Sequence, residues 1–89
     1  MRAFVTVIGT DKVGIIAKTS CLLAEYGVNI LDISQTVLQE YFVMMMLVDA
    51  TGMKTTFGEM QDSLNKLGEE MSLSIRIQRE DIFQAMHRI

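Results

Sequence analysis

The 89-residue sequence predicts an α+β fold with the element order βαββαβ. This is the split-βαβ or ferredoxin-like arrangement: a four-stranded antiparallel sheet, two helices on one of its faces, and here a short C-terminal helix as well. Three observations carry the prediction. The apolar period switches from about 2 to about 3.6 residues and back twice, in step with glycine-rich breaks. One tight hairpin connection, Gln39-Glu40, lies mid-chain. Finally, the first and third strand segments are apolar on both faces, and right-handed crossovers place those two strands in the middle of the sheet.

The elements follow in order. Arg2 to Ile8 is a strand, with Phe4, Val5, Val7 and Ile8 apolar on both sides, and Gly9 to Lys12 is a loop. Val13 to Tyr26 is a helix whose stripe is Ile15, Ile16, Thr19, Leu22, Leu23 and Tyr26; Gly27 stops it as a C′ glycine. Val28 to Leu38 is a strand in which the apolar phase changes, which calls for a β-bulge near Ile30 or Leu31. Tyr41 to Val48 is uninterrupted apolar sequence, hence a central strand covered on both faces. Thr55 to Leu67 is a helix with Phe57, Met60, Leu64 and Leu67 on one side and Thr55 or Thr56 as its cap. Met71 to Arg79 alternates, with Met71, Leu73, Ile75 and Ile77 inward, and reads as a one-sided edge strand.

The chain therefore divides into a domain over 1–79 and an amphipathic tail over 80–89. In the tail, Ile82, Phe83, Met86 and Ile89 recur at helical spacing. A helix this short is marginal unless docked, so the tail is expected to pack across the open face of the sheet or onto a second subunit. Hydrophobic residues make up 49% of the chain, a high share for one small domain with proportionally large surface. The surplus points to a face buried against another subunit, so the working unit is expected to be a homo-oligomer, a dimer or higher.

Composition also excludes function classes. Net charge is −3 and the eight basic residues are scattered, which opposes direct nucleic-acid binding. No apolar run approaches the ~18 residues of a membrane span, and the N-terminus lacks a signal-peptide core, so no membrane partner and a cytoplasmic location are expected. A single cysteine, Cys21, excludes an internal disulfide and a CxxC site; mid-helix, it is expected to be a small buried residue. No nucleophile–base set can be assembled, so no catalytic residue is assigned and no cofactor is expected. Met44 and Met46 share a strand face, but methionines in such places generally fill a core, and no metal site is assigned.

Two short stretches carry the candidate site. In Gly9-Thr10-Asp11-Lys12-Val13-Gly14-Ile15, Asp11 is placed to cap the helix, which would put Gly14 at N3. A glycine there has two readings: a ligand approaches the backbone of a first turn suited to a small anion, or the helix packs closely on strand one. In Gly27-Val28-Asn29-Ile30-Leu31-Asp32-Ile33, Asn29 offers two-way hydrogen bonding at the start of an edge strand, whereas Asp32 reads as a solvated strand residue.

Taken together, the Gly9-x-Asp11-x-x-Gly14-Ile15-Ile16-Ala17 pattern and the Val28 to Ile33 stretch resemble the ACT domain across residues 2 to 79. ACT domains are βαββαβ modules that bind amino acids or other small ligands and regulate metabolic enzymes and transcription. The Ile33-Ser34-Gln35 continuation and the Ala85 to Ile89 ending resemble a family of stand-alone ACT proteins of bacteria and archaea. That family is similar to the halves of the glycine cleavage system's transcriptional repressor. The resemblance implies a ligand site at a subunit interface, formed by Thr10, Asp11, Lys12, Val13 and Gly14 on one side and Asn29 and Ile30 on the other. It also implies a regulated partner protein. The chain departs from many ACT domains in having Val13 where a proline precedes the motif glycine, which leaves the loop less rigid. The alternative is an interaction or transcription-regulator module that uses the same surface without a ligand of its own.

Overall fold

A computed structural model describes residues 1–10 and 14–81. The order is β1 (Arg2–Gly9), α1 (Ile15–Glu25), β2 (Asn29–Leu38), β3 (Tyr41–Asp49), α2 (Phe57–Met71) and β4 (Ser74–Arg79). The strands form one sheet in the order β2-β3-β1-β4, antiparallel throughout. The expected βαββαβ fold is thus present, with β1 and β3 central. The expected C-terminal helix falls on residues 82–89, outside those described.

Register divides the sheet cleanly. On β1 and β3, the pairs Ala3↔Val48, Val5↔Met46 and Val7↔Met44 line the helix side, and all six residues are fully buried. Ile15 and Leu23 of α1 and Met60 and Leu64 of α2 close over them, also fully buried. Each such side chain contributes about 1.5–3 kcal/mol by leaving water. The other face carries Arg2, Phe4, Thr6 and Ile8 of β1 opposite Asp49, Leu47, Met45 and Val43 of β3. There no described element lies over β3: Tyr41 and Met45 are 47% and 41% exposed, while Val43 and Leu47 are half-buried. Both helices pack on the same side, and an apolar run records no face.

The bulge expected in β2 is found between Ile30 and Asp32, leaving Leu31 as the extra residue. Downstream of it, Ile33 and Val37 share the helix-side rows of Met46 and Phe42. The hairpin at Gln39-Glu40 is also present, with Gln39 at φ 56°.

Several boundaries differ from the sequence reading, most by one or two residues, and three of the differences change what a residue does. Helix α1 starts at Ile15, not Val13. Gly14 itself is the N-cap, at φ 74°, with no side-chain cap hydrogen bond, so Asp11 as N-cap with Gly14 at N3 does not hold. Helix α2 runs on to Met71, four residues past its expected end, and β4 begins at Ser74 rather than Met71. Gly68 was the misleading signal. It is buried inside the helix because a Cβ there would lie 2.8 Å from the Leu73 carbonyl oxygen. The helix ends instead at Ser72 in the left-handed region, with Leu73 N–H donating to the Gly68 carbonyl at 2.7 Å. Cys21, expected to be buried, is exposed.

Thr56 is the α2 cap, accepting from Glu59 N–H at 3.1 Å. The helices are linked by Tyr26 Oη and Ser63 Oγ at 2.5 Å. Gly27 ends α1 at φ 75°, and a Cβ there would meet the Gly52 carbonyl oxygen at 2.8 Å. Gly27→Ala combines left-handed strain with a backbone clash, and we expect a stability loss of about 2–3 kcal/mol in urea unfolding. Gly14→Ala, with nothing within 4 Å of its Cβ, should lose only the conformational part, about 1–2 kcal/mol.

Candidate functional site

The site residues are distributed by the antiparallel topology. Thr10 is exposed just past the end of β1, and Gly14 is exposed at the entry to α1. Asp11, Lys12 and Val13 lie outside the described residues. Of the two readings of Gly14, close packing on β1 does not hold: a side chain there would meet no described residue within 4 Å. Its left-handed backbone calls for glycine, because only glycine adopts that conformation without strain. The Gly14 carbonyl accepts from Lys18 N–H at 3.0 Å, and among the described residues no side-chain hydrogen bond caps the helix.

Asn29 and Ile30 lie elsewhere. Asn29 begins β2 and pairs with Asp49, which pairs in turn with Arg2; Ile30 pairs with Val48. The end of β1 is level with Phe42 and Val37 instead, through Gly9↔Phe42↔Val37. Seven register steps separate the two levels, about 23 Å at strand rise. The loop and the start of β2 therefore sit at opposite ends of one sheet and do not meet within one chain.

A carboxylate that the sequence reading passed over adjoins Asn29. Asp49 Oδ1 accepts from Thr51 Oγ1 at 2.6 Å and Thr51 N–H at 2.9 Å. These two hydrogen bonds hold its pKa below the usual carboxylate value. An Asp followed two residues later by Thr was the available signal, since that spacing suits an Asx-type turn.

Two concavities among the described residues are lined by neither Thr10 and Gly14 nor Asn29 and Ile30. One, of ≈ 770 Å³, runs between α2 and the β4 edge beside Asn65, Glu69 and Arg76. The other, of ≈ 330 Å³, lies between the helices beside Lys18, Cys21 and Lys66. Among the described residues no cluster of three or more His, Cys, Asp or Glu could hold a metal ion. No helix among them is long and apolar enough to cross a membrane.

A four-stranded βαββαβ sheet with both helices on one face and a glycine at the entry to α1 is the ferredoxin-like arrangement of a small α+β module. The ACT domain model matches residues 2–78, and the chain belongs to the ACT domain family. It is similar along its full length to single-domain UPF0237 proteins. One, from Clostridium acetobutylicum, is 51% identical over 89 residues and all of both chains. Another, from Methanopyrus kandleri, is 49% identical over 99% of this chain and 98% of its own. Among solved structures, an ACT domain protein from Streptococcus pneumoniae superposes with TM-score 0.84 at 45% identity, covering 98% of each chain. A putative glycine cleavage system transcriptional repressor shares the fold at TM-score 0.71 and 23% identity, over 86% of this chain and 44% of its own. ACT domains are typically regulatory modules that bind small molecules.

The Asp49 bonds give a pH prediction. A carboxylate with a depressed folded pKa stabilises above its unfolded value, and that contribution disappears as pH falls through the folded one. Asp49→Asn should unfold at lower urea concentration than the parent at pH 7, and the gap should narrow as pH falls below about 4.

Proposed function

We propose that this chain is a non-catalytic regulatory module that binds a small ligand, an amino acid, between two copies of itself. The observation that carries the reading is the separation of the two half-sites. Thr10 and Gly14, which bracket Asp11, Lys12 and Val13 in sequence, stand at one end of the sheet, and Asn29 and Ile30 at the other. A second copy paired antiparallel along the β2 edge brings its own Asn29 to the end that carries Gly14, and the two-fold axis repeats the arrangement at the opposite end.

The β2 edge suits that pairing. It is a long edge strand, and Ile33, Val37 and the first-turn Ile16 of α1 stay 37%, 61% and 37% exposed along it. Pairing would bury these side chains and satisfy the edge backbone. In the completed site, first-turn N–H groups of α1 hold the ligand carboxylate and Asn29 holds its remaining polar groups. Binding across the interface then shifts the population of the paired arrangement, which a regulated partner protein reads.

Calorimetry against the proteinogenic amino acids, with analytical ultracentrifugation in parallel, tests this. At least one amino acid should bind at millimolar concentration or below. Asn29→Ala should keep the dimer and weaken binding about tenfold or more, the loss of roughly one hydrogen bond to a charged group. Val37→Lys should give monomers that no longer bind. No binding by any amino acid, or undiminished binding by monomeric Val37→Lys, overturns the proposal.

A further inference from the structure

The face of the sheet away from the helices holds a second surface, separate from the β2 edge. Its apolar rows run from Phe4 and Leu47 near one end to Ile8 and Tyr41 near the other. Exposure rises along it: Phe4 and Leu47 are half-buried, while Ile8, Tyr41 and Leu38 are 42%, 47% and 59% exposed. Side chains of this kind in contiguous rows mark a surface that something covers.

The occupant follows from where the chain leaves β4. The pairs Phe4↔Gln78 and Ala3↔Arg79 put Gln78 on the open face and Arg79 on the helix side, so the next residue, Glu80, falls in the open-face row beside Arg2. There Arg2 grips Glu80 with two hydrogen bonds, Nε to Oε1 at 3.0 Å and Nη2 to Oε2. This bidentate pair joins residues 78 positions apart and ties the end of β4 to β1 on the open face, at its half-buried end. Arg79, on the other side, binds Asp81 through Nε and Nη2 at 3.2 and 2.8 Å.

Eight residues follow, with Ile82, Phe83, Met86 and Ile89 in a helical apolar pattern. A helix of eight residues would be about 12 Å long, against about 20 Å from the level of Arg2 to that of Ile8. We propose that residues 82–89 dock in cis on the open face and cover its Phe4–Leu47 half. The Ile8–Tyr41 half stays accessible.

Isotope-edited NMR of the full chain with labelled Ile and Met methyls tests this. Nuclear Overhauser contacts should link Ile82 and Met86 methyls to Phe4, Leu47 or Met45. They should be missing from the intermolecular filter in a sample mixing labelled and unlabelled chains. Met86→Asp should move the Met45 methyl resonance and lower Tm by about 4–8 °C. Contacts that are absent, or that appear only between copies, overturn the proposal; so does a Met45 resonance unmoved by Met86→Asp. A tail lying on a second copy, or a face covered by that copy's own sheet, would give those intermolecular contacts.

Discussion

The pairing of β1 with β3 is the constraint on which the remaining structure depends. Val5↔Met46 and Val7↔Met44 lie at the centre of the sheet, and their side chains form the floor on which both helices rest. Because the pairing is antiparallel and each strand alternates, every residue on the helix side has a neighbour facing away. The three consecutive methionines show it: Met44 and Met46 are fully buried, and Met45 between them is 41% exposed. The same pairing leaves β2 and β4 as edges and commits both helices to one side.

The placement of the candidate site follows from that arrangement. Each crossover helix starts at one end of the sheet and returns the chain to the other. The loop that enters α1 and the strand that leaves it therefore lie a full strand length apart. No side-chain rearrangement can join Gly14 and Asn29 within one chain. A site made from both needs a second copy, and the exposed apolar side chains beside the β2 edge supply a reason for that copy to bind there. The open face and the β2 edge are distinct surfaces, so a tail on the first leaves the second available.

The glycines illustrate how one residue type answers different demands. Gly14 provides a left-handed backbone in open space, Gly27 the same backbone against the Gly52 carbonyl, and Gly68 ordinary helix where a Cβ would meet the Leu73 carbonyl oxygen. The third alone has an ordinary helical backbone, so only packing calls for glycine there. Its burial lets the end of α2 approach the start of β4, which is why the helix passes through a residue that usually marks an end.

Local pattern alone determined the element order, the central position of β1 and β3, the bulge in β2, the hairpin at Gln39-Glu40 and the Thr56 cap. Each depends on periodicity or turn chemistry within a few residues, and side-chain alternation and helical stripes are written in sequence spacing. The family was legible for the same reason, through the glycine-containing loop and the start of β2. Tertiary structure alone decided the rest. Whether Gly68 ends a helix or packs in one depends on Leu73 across a turn. The N-cap role of Gly14 depends on backbone geometry that several residue patterns could accompany. The exposure of Cys21 and of one face of β3 depends on which side the helices choose. So does the opposition of Gly14 and Asn29 at the two ends of the sheet. These are distances between residues far apart in the chain, and such distances exist only once the sheet has closed.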